Sequence, residues 1–221
     1  MRIADYLGLA DRSERVLALI RFDDDTPLAV GTRDGVVKRI VPSSLAARPE
    51  LEIISLKPKD GVVGAASAPD DAELVFVTSD ARLLHFSASS VRPQGAAAGG
   101  MAGVKLASGA EVVSFTTVTS PEEAVAVTVS GSEGTLAGAD AGRAKVSAFT
   151  EYPGKGRATG GVRAHAFLKG EDRLRLAWVG VEPRAIGTDG AARQLPAPGA
   201  KRDASGQPLD AVIGSVGTAI G

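Results

Sequence analysis

Few side chains in this sequence can do covalent or metal chemistry. Its 221 residues include two histidines, two tyrosines and no cysteine. Thiol catalysis, disulfides and Cys-ligated zinc are therefore excluded. His85 and His165 stand far apart with no HExxH spacing, which argues against a histidine metal site. Lys155 lies in Gly154-Lys155-Gly156, but a phosphate-binding P-loop needs a glycine five positions before the Gly-Lys pair and Ser or Thr after it. Phe149 and Gly156 stand there instead. Asp23-Asp24-Asp25 precedes Pro27 and reads as a solvated turn rather than a cation site. No metal and no cofactor is expected.

What remains is charge. Over the whole chain 25 Lys and Arg nearly balance 26 Asp and Glu. Residues 143–175, however, carry eight cations against three carboxylates: Arg143, Lys145, Lys155, Arg157, Arg163, Lys169, Arg173 and Arg175. Residues 1–80 are acidic, with ten cations against fourteen carboxylates. A local positive field of this kind is what phosphate contacts need, and a whole-chain isoelectric point conceals it. Solvated loops and lysine-bearing strand edges would give the same excess. Along Val162–Leu168, alternation puts Arg163 and His165 on one face and Val162, Ala164, Ala166 and Leu168 on the other.

The elements that must carry these residues read as strands. Short β-branched or alternating runs are separated by Gly, Pro, Asp and Ser, an all-β pattern. The runs recur in order, with anchors at Val16, Val62, Val112 and Leu174. After each comes a second apolar run, a tight turn and a cation-bearing run: Leu28–Ile40, Leu74–Phe86 and, more weakly, Ala185–Arg193. The Asp-Gly turns predict type I′ hairpins. In the third copy, Ala124–Val129 is followed by a Gly/Ser-rich insertion at 130–138 before Asp140–Lys145 resumes the pattern. Four repeats of this size fit radial blades better than a sandwich. Ala4–Leu9 and Leu209–Ile213 resemble Met101–Leu106, so the chain starts and stops at one phase of its repeat, which would set its termini side by side. Trp178 sits in an apolar run and is expected in the core. The longest apolar stretches fall short of the ~20 residues of a membrane span, and charge at positions 2 and 5 interrupts any signal-peptide core. A cytoplasmic location is expected.

Two stretches carry a resemblance. One runs from Leu83-Leu84-His85-Phe86 through Val91-Arg92-Pro93-Gln94-Gly95 to Gly99–Leu106; the other is Lys145–Arg163, containing Glu151-Tyr152-Pro153-Gly154-Lys155-Gly156-Arg157. They resemble the repeats in the C-terminal domain of bacterial type IIA topoisomerase A subunits, the gyrase and topoisomerase IV family. The resemblance covers most of residues 15–195. It implies a β-pinwheel, propeller-like blades that exchange hairpins, with duplex DNA bent around a basic outer rim. About four blades are expected, in a single domain over residues 1–221 that is a fragment of a longer A subunit.

The implied DNA-contacting residues are Arg143, Lys145, Lys155, Arg157, Arg163, His165, Lys169 and Arg92, with Lys38, Arg39 and Arg82 on the hairpin strands. The implied partners are duplex DNA, the N-terminal breakage-reunion core of the same polypeptide and the ATPase B subunit. The implied location is the nucleoid, with no membrane. The gyrase loop of the form Gln-Arg-Arg-Gly-Gly-Lys-Gly is absent, which favours a protein of the topoisomerase IV type. The family cleaves DNA with a tyrosine beside an arginine; neither Tyr6 nor Tyr152 has an adjacent Arg, so this chain is expected to be noncatalytic. The competing reading is a propeller-like module for protein contacts, since such folds host many functions.

Overall fold

The computed structural model describes residues 6, 8, 15–21, 24–45, 50–134 and 140–218. These form four small antiparallel sheets. Each is built on a hairpin: β1 (Leu28–Thr32) with β2 (Val36–Ile40), β4 (Glu73–Thr78) with β5 (Arg82–Ser87), β8 (Val125–Gly131) with β9 (Arg143–Ala148), and β12 (Pro183–Ile186) with β13 (Ala192–Arg193). The first strand of each hairpin also pairs with a strand on its other side. These are β3 (Val62–Ser67), β7 (Val112–Val118), β11 (Arg173–Gly180) and β15 (Ser215–Thr218). The second strand of three hairpins receives a two-residue strand: β6 (Met101–Ala102) on β2, β10 (Val162–Arg163) on β5, and β14 (Gln207–Pro208) on β9.

Connectivity makes the blades exchange strands. After the hairpin of blade 2 the chain returns to add β6 to blade 1, then adds β7 to its own blade. The same rule places β10 on blade 2 and β14 on blade 3. This is the hairpin-exchanged β-pinwheel that the resemblance implies, with four blades among the described residues.

Continuous apolar runs form the hairpins because both faces of each sheet are covered. On β4, Leu74 and Phe76 face a core shared with blade 1, while Val75 and Val77 face a core shared with blade 3. In the first core Phe76 and Phe115 pack with ring centroids 4.8 Å apart, a favourable tilted geometry. Gly31 and Gly64, on neighbouring strands, leave the space that Phe115 fills. Blades 3 and 4 share a smaller core around Val129, Ala144, Ala185 and Ile213. The far side of blade 1 is covered by Ile20, Ile53 and Ile54.

Several local expectations change. Residues 15–21 are not a strand, and Leu19 is 79% exposed. Within this run Ile20 packs against Leu28 and Val30 of blade 1. The hairpin turns of blades 1, 2 and 4 are not type I′. Gly35 N–H donates to the Thr32 carbonyl at 3.0 Å, and positive φ falls on the residue after Asp34, at Gly35 (82°), as it does at Ala81 (59°) and Gly190 (81°). This is the three-residue loop with a closing left-handed residue. The last donated strand is Gln207–Pro208 rather than Leu209–Ile213. Trp178 is half-buried, packed against Gly180. The proposed strand Ala4–Leu9, Asp23, the later part of the 130–138 insertion and both chain ends lie outside the described residues, apart from exposed Tyr6 and Gly8.

Candidate nucleic-acid interface

Three equivalent loops, 92–100, 153–161 and 198–206, lead into the donated strands. Each is pinned at one point: Gln94 N–H to the Arg39 carbonyl at 2.8 Å, Lys155 N–H to the His85 carbonyl at 3.1 Å, and Ala200 N–H to the Val146 carbonyl at 3.2 Å. Neighbouring loops are stitched together by backbone bonds, Ala158 N–H to Gly103 O at 2.7 Å, Lys105 N–H to Thr159 O at 3.0 Å and Ala166 N–H to Ala204 O at 3.1 Å. The outer edges of blades 1 to 3 thus form one continuous rim. Gly161 (φ 67°) brings the second loop against the backbone of Leu83, leaving no room for a Cβ, so only glycine fits this close approach.

On this rim Arg92, Lys155 and Arg163 are exposed, and their side chains make no hydrogen bond or ion pair with another described residue. Arg157 is half-buried and donates to the Ala102 carbonyl at 2.5 Å, bracing the loop across the blade boundary. The central feature is Arg82 facing Arg163 across the β5–β10 ladder. Because the hydrogen-bonded position is the next one, where Ala164 N–H meets Ala81 O, the two arginines form the closer, non-hydrogen-bonded pair, with Cα atoms about 4.5 Å apart. Like charges directly opposite are unfavourable. Among the described residues Arg82 lies 4.0 Å from the Asp80 carboxylate and Arg163 makes no ion pair.

Four expected phosphate contacts are placed inside the protein instead. Lys38 is fully buried, its Nζ donating to the carbonyls of Ile53 (2.7 Å), Ala96 (2.7 Å) and Ala98 (2.8 Å). Burial lowers its pKa, opposed by Glu52. Lys145, at the equivalent place on blade 3, donates to the carbonyls of Lys201 (3.1 Å) and Arg202; burial pushes it down to about 8. Arg39 is 1% exposed and binds the carbonyls of Ala88, Val91 and Ala68 together with Asp70. Irregular loops between blades leave inward-facing carbonyls, which a buried cation satisfies. A cation in the middle of a hairpin strand, at Lys38, Arg39 or Lys145, is therefore an internal tie, whereas Arg82 at the start of its strand stays exposed, and sequence alone does not separate the two roles.

His165 is likewise buried, so the alternation over Val162–Leu168 ends at Arg163; Ala164 and His165 both turn inward. Gly206 N–H donates to His165 Nε2 at 3.1 Å, which makes Nδ1–H the donor to Thr128 Oγ1 at 2.9 Å. Burial, reinforced by Lys145, pushes its pKa down to about 4. The ring is neutral at pH 7. His85 binds Glu73 (2.7 Å) and the Tyr152 carbonyl (2.9 Å). Tyr152 is buried, shares a 2.7 Å hydrogen bond with Ser147, and burial pushes its hydroxyl up to about 12.

Arg143 is partly engaged, 3.5 Å from Glu171 and bonded to the Gly206 carbonyl. Lys169 is exposed but sits in the Leu168–Glu171 turn that precedes β11, apart from the three loops. Conversely, exposed Lys105 and Lys201 lie on the rim. Lys201-Arg202 sits one residue past the loop's pinning point, where Gly156-Arg157 stands in the previous loop. Repeat register, rather than segment charge, is the signal that finds it.

Among the described residues no helix is long and apolar enough to cross a membrane, and no group of three or more His, Asp or Glu is arranged to hold a metal ion. The family described as DNA gyrase C-terminal domain, beta-propeller, matches residues 72–119 and 136–175. The DNA gyrase A protein of Dehalogenimonas lykanthroporepellens is 31% identical over 154 residues, 69% of this chain and 18% of that protein. The topoisomerase subunit TopoM of Mycolicibacterium smegmatis is 37% identical over 118 residues, 53% of this chain and 15% of that protein. The chain thus spans less than a fifth of the length of these curated relatives. In architecture it is similar to the crystal structure of the C-terminal domain of DNA topoisomerase IV, with a TM-score of 0.77 and 23% identity, covering 98% of this chain and 69% of that one. A DNA gyrase A C-terminal domain gives 0.76 at 19% identity, covering 96% and 73%. Matched repeats, named relatives and the exchanged-blade architecture agree, and the chain belongs to the DNA gyrase C-terminal, beta-propeller domain family.

Proposed function

We propose that this chain is a noncatalytic domain that binds and bends duplex DNA for an ATP-dependent type IIA topoisomerase. In this reading it is a single domain of a longer topoisomerase polypeptide. It presents duplex to the breakage-reunion core, which works at the nucleoid with an ATPase B subunit. The observation that carries the reading is the Arg82–Arg163 pair. Two exposed arginines paired across neighbouring strands, Arg82 with Asp80 at 4.0 Å, gain most when a polyanion lies across them, and Arg fits phosphate oxygens bidentately. Lys155, Arg92, Lys105 and Lys201 extend the positive rim to either side. Missing the Gln-Arg-Arg-Gly-Gly-Lys-Gly loop, the chain fits a topoisomerase IV better than a gyrase.

Phosphate contacts carry no base information, so binding is weakly dependent on sequence and strongly dependent on salt. The test is a salt titration of duplex binding with the triple variant Arg82→Ala, Lys155→Ala, Arg163→Ala. It should weaken binding and flatten the slope of log K against log salt by up to about 3. Replacing Lys57 and Lys59, in the turn before β3, should change little. Equal losses from both sets, or no binding by the unaltered chain at low salt, would overturn the proposal; the second result would favour a protein partner.

A further inference from the structure

Lys155 is an exposed rim cation whose side chain makes no hydrogen bond or ion pair with another described residue. Arg157, two residues on, is braced by its own guanidinium on the Ala102 carbonyl. Where the Lys155 ammonium can reach is therefore set by the main chain leading into it, at 152–155. His85 of β5 holds both ends of that stretch. Its imidazole Nε2 meets the Tyr152 carbonyl at 2.9 Å, and its own carbonyl accepts from Lys155 N–H at 3.1 Å. Only Pro153 and Gly154 lie between these two bonds, and the proline fixes its own φ.

The ring is itself fixed. Glu73 on β4 lies 2.7 Å from Nδ1, and buried Phe149 packs beside the imidazole with centroids 4.7 Å apart and planes tilted by 51°. A carbonyl only accepts, so Nε2 carries the hydrogen that holds Tyr152. Gly154 passes the ring so closely that a Cβ there would stand 3.3 Å from Cε1. Its φ is not positive, so this glycine serves close approach rather than a turn. Neighbouring blades vary the bracket. Arg39 on β2 holds the Val91 carbonyl and the Gln94 amide in the same way, whereas Val146 on β9 offers only its carbonyl, to Ala200 N–H. Of the three equivalent rim positions, Gln94, Lys155 and Ala200, the cation stands where the imidazole is.

We propose that His85, with Gly154 seated against its ring, is the positioning residue for Lys155, holding the loop in the shape in which that lysine meets a duplex phosphate. The inference rests on the DNA-binding reading above. His85 is buried and touches no phosphate in this role; it acts through the main chain on either side of Gly154. A loop already in its bound shape keeps the cost of ordering out of the binding equilibrium. Without the bracket Lys155 still reaches its phosphate, but only after the loop is ordered. Affinity then falls while the salt slope, which counts the phosphates neutralised, stays the same. Removing Lys155 itself lowers both.

The experiment is a double-mutant cycle read by fluorescence anisotropy of a labelled duplex over a series of salt concentrations, well below the melting temperature of every variant. His85→Ala should weaken binding by about 2- to 10-fold, the ordering cost of one long side chain, with the slope unchanged. Lys155→Ala should flatten the slope by about 0.9, and adding His85→Ala to it should cost nothing more. His85→Gln, which keeps a donor for the Tyr152 carbonyl, should recover most of the affinity. Gly154→Ala removes no polar atom and should reproduce His85→Ala; it is read in its place if that variant fails to fold. In the free chain both substitutions should speed deuterium exchange at the Lys155 amide and spare the Gln94 amide on blade 1. Failure of the unaltered chain to bind duplex would sink the DNA reading and this proposal together. Binding that His85→Ala weakens equally with and without Lys155, or that neither His85→Ala nor Gly154→Ala weakens, would overturn this proposal alone.

Discussion

His85 on β5 reaches out of its own blade, with Nε2 2.9 Å from the carbonyl of Tyr152 in the blade that follows. Arg39, at the equivalent point of β2, does the same one blade earlier, its Nη1 lying 3.2 Å from the Val91 carbonyl. Both target carbonyls end a short 3₁₀ turn, at Phe149–Glu151 and at Ala88–Ser90. A polar side chain at this position joins one blade to the next. Arg39→Ala should therefore cost about 3–5 kcal/mol, because it also strands carbonyls in the interior, and His85→Ala about 1–3 kcal/mol. Urea unfolding should show both losses at the midpoint. Unchanged midpoints would mean that neither side chain ties blades together.

Acid should weaken the blade 2–blade 3 joint through His165. Its native pKa of about 4 lies below the ordinary 6.5. Between these values the unfolded chain takes up a proton that the folded chain refuses, so stability falls as pH drops from 6.5 toward 4, by on the order of 3 kcal/mol. His165→Asn should flatten the stability profile in that window.

Lys145 gives the same sign at the alkaline end. Lowered to about 8 from 10.5, it loses its proton in the folded chain first, so its contribution to stability rises with pH between 8 and 10.5. Lys145→Met should remove that rise while leaving the Lys201 and Arg202 carbonyls without their donor. Measuring unfolding free energy at pH 7.5 and at pH 10 in both proteins isolates the effect.

Phe115 separates two glycines that look alike in the sequence. A Cβ at Gly31 would strike the Phe115 ring, whereas one at Gly64 would strike its backbone carbonyl. Both Gly→Ala substitutions should destabilise. Only Gly31→Ala should be partly rescued by Phe115→Ala, which opens a cavity costing about 3–5 kcal/mol by itself. Double-mutant cycles read the difference as a coupling energy present at one site and absent at the other.

Blade 4 should open first. Its core with blade 3 is the smallest of the three inter-blade cores, and among the described residues its sheet has three strands where the others have four. Amides of β12 and β13 should exchange with deuterium well before those of β4 and β5, which are buried between two cores.

The amino-acid pattern alone determined the hairpins, because continuous β-branched runs such as Leu74–Thr78 suit a sheet buried on both faces and the Thr-x-Asp-Gly turns punctuate them. It also determined the repeat, and through Glu151–Arg163 the resemblance to gyrase and topoisomerase IV domains. Tertiary structure decided which cations meet solvent. Lys38 and Lys155 are both lysines near turns, yet one faces three loop carbonyls and the other faces open water. That difference depends on strands donated from some sixty residues away, as Ala98 to Lys38 is, and no local period encodes where such a strand will dock. The same long-range exchange set Arg163 against Arg82, because an edge is made or filled only when the whole array has been assembled.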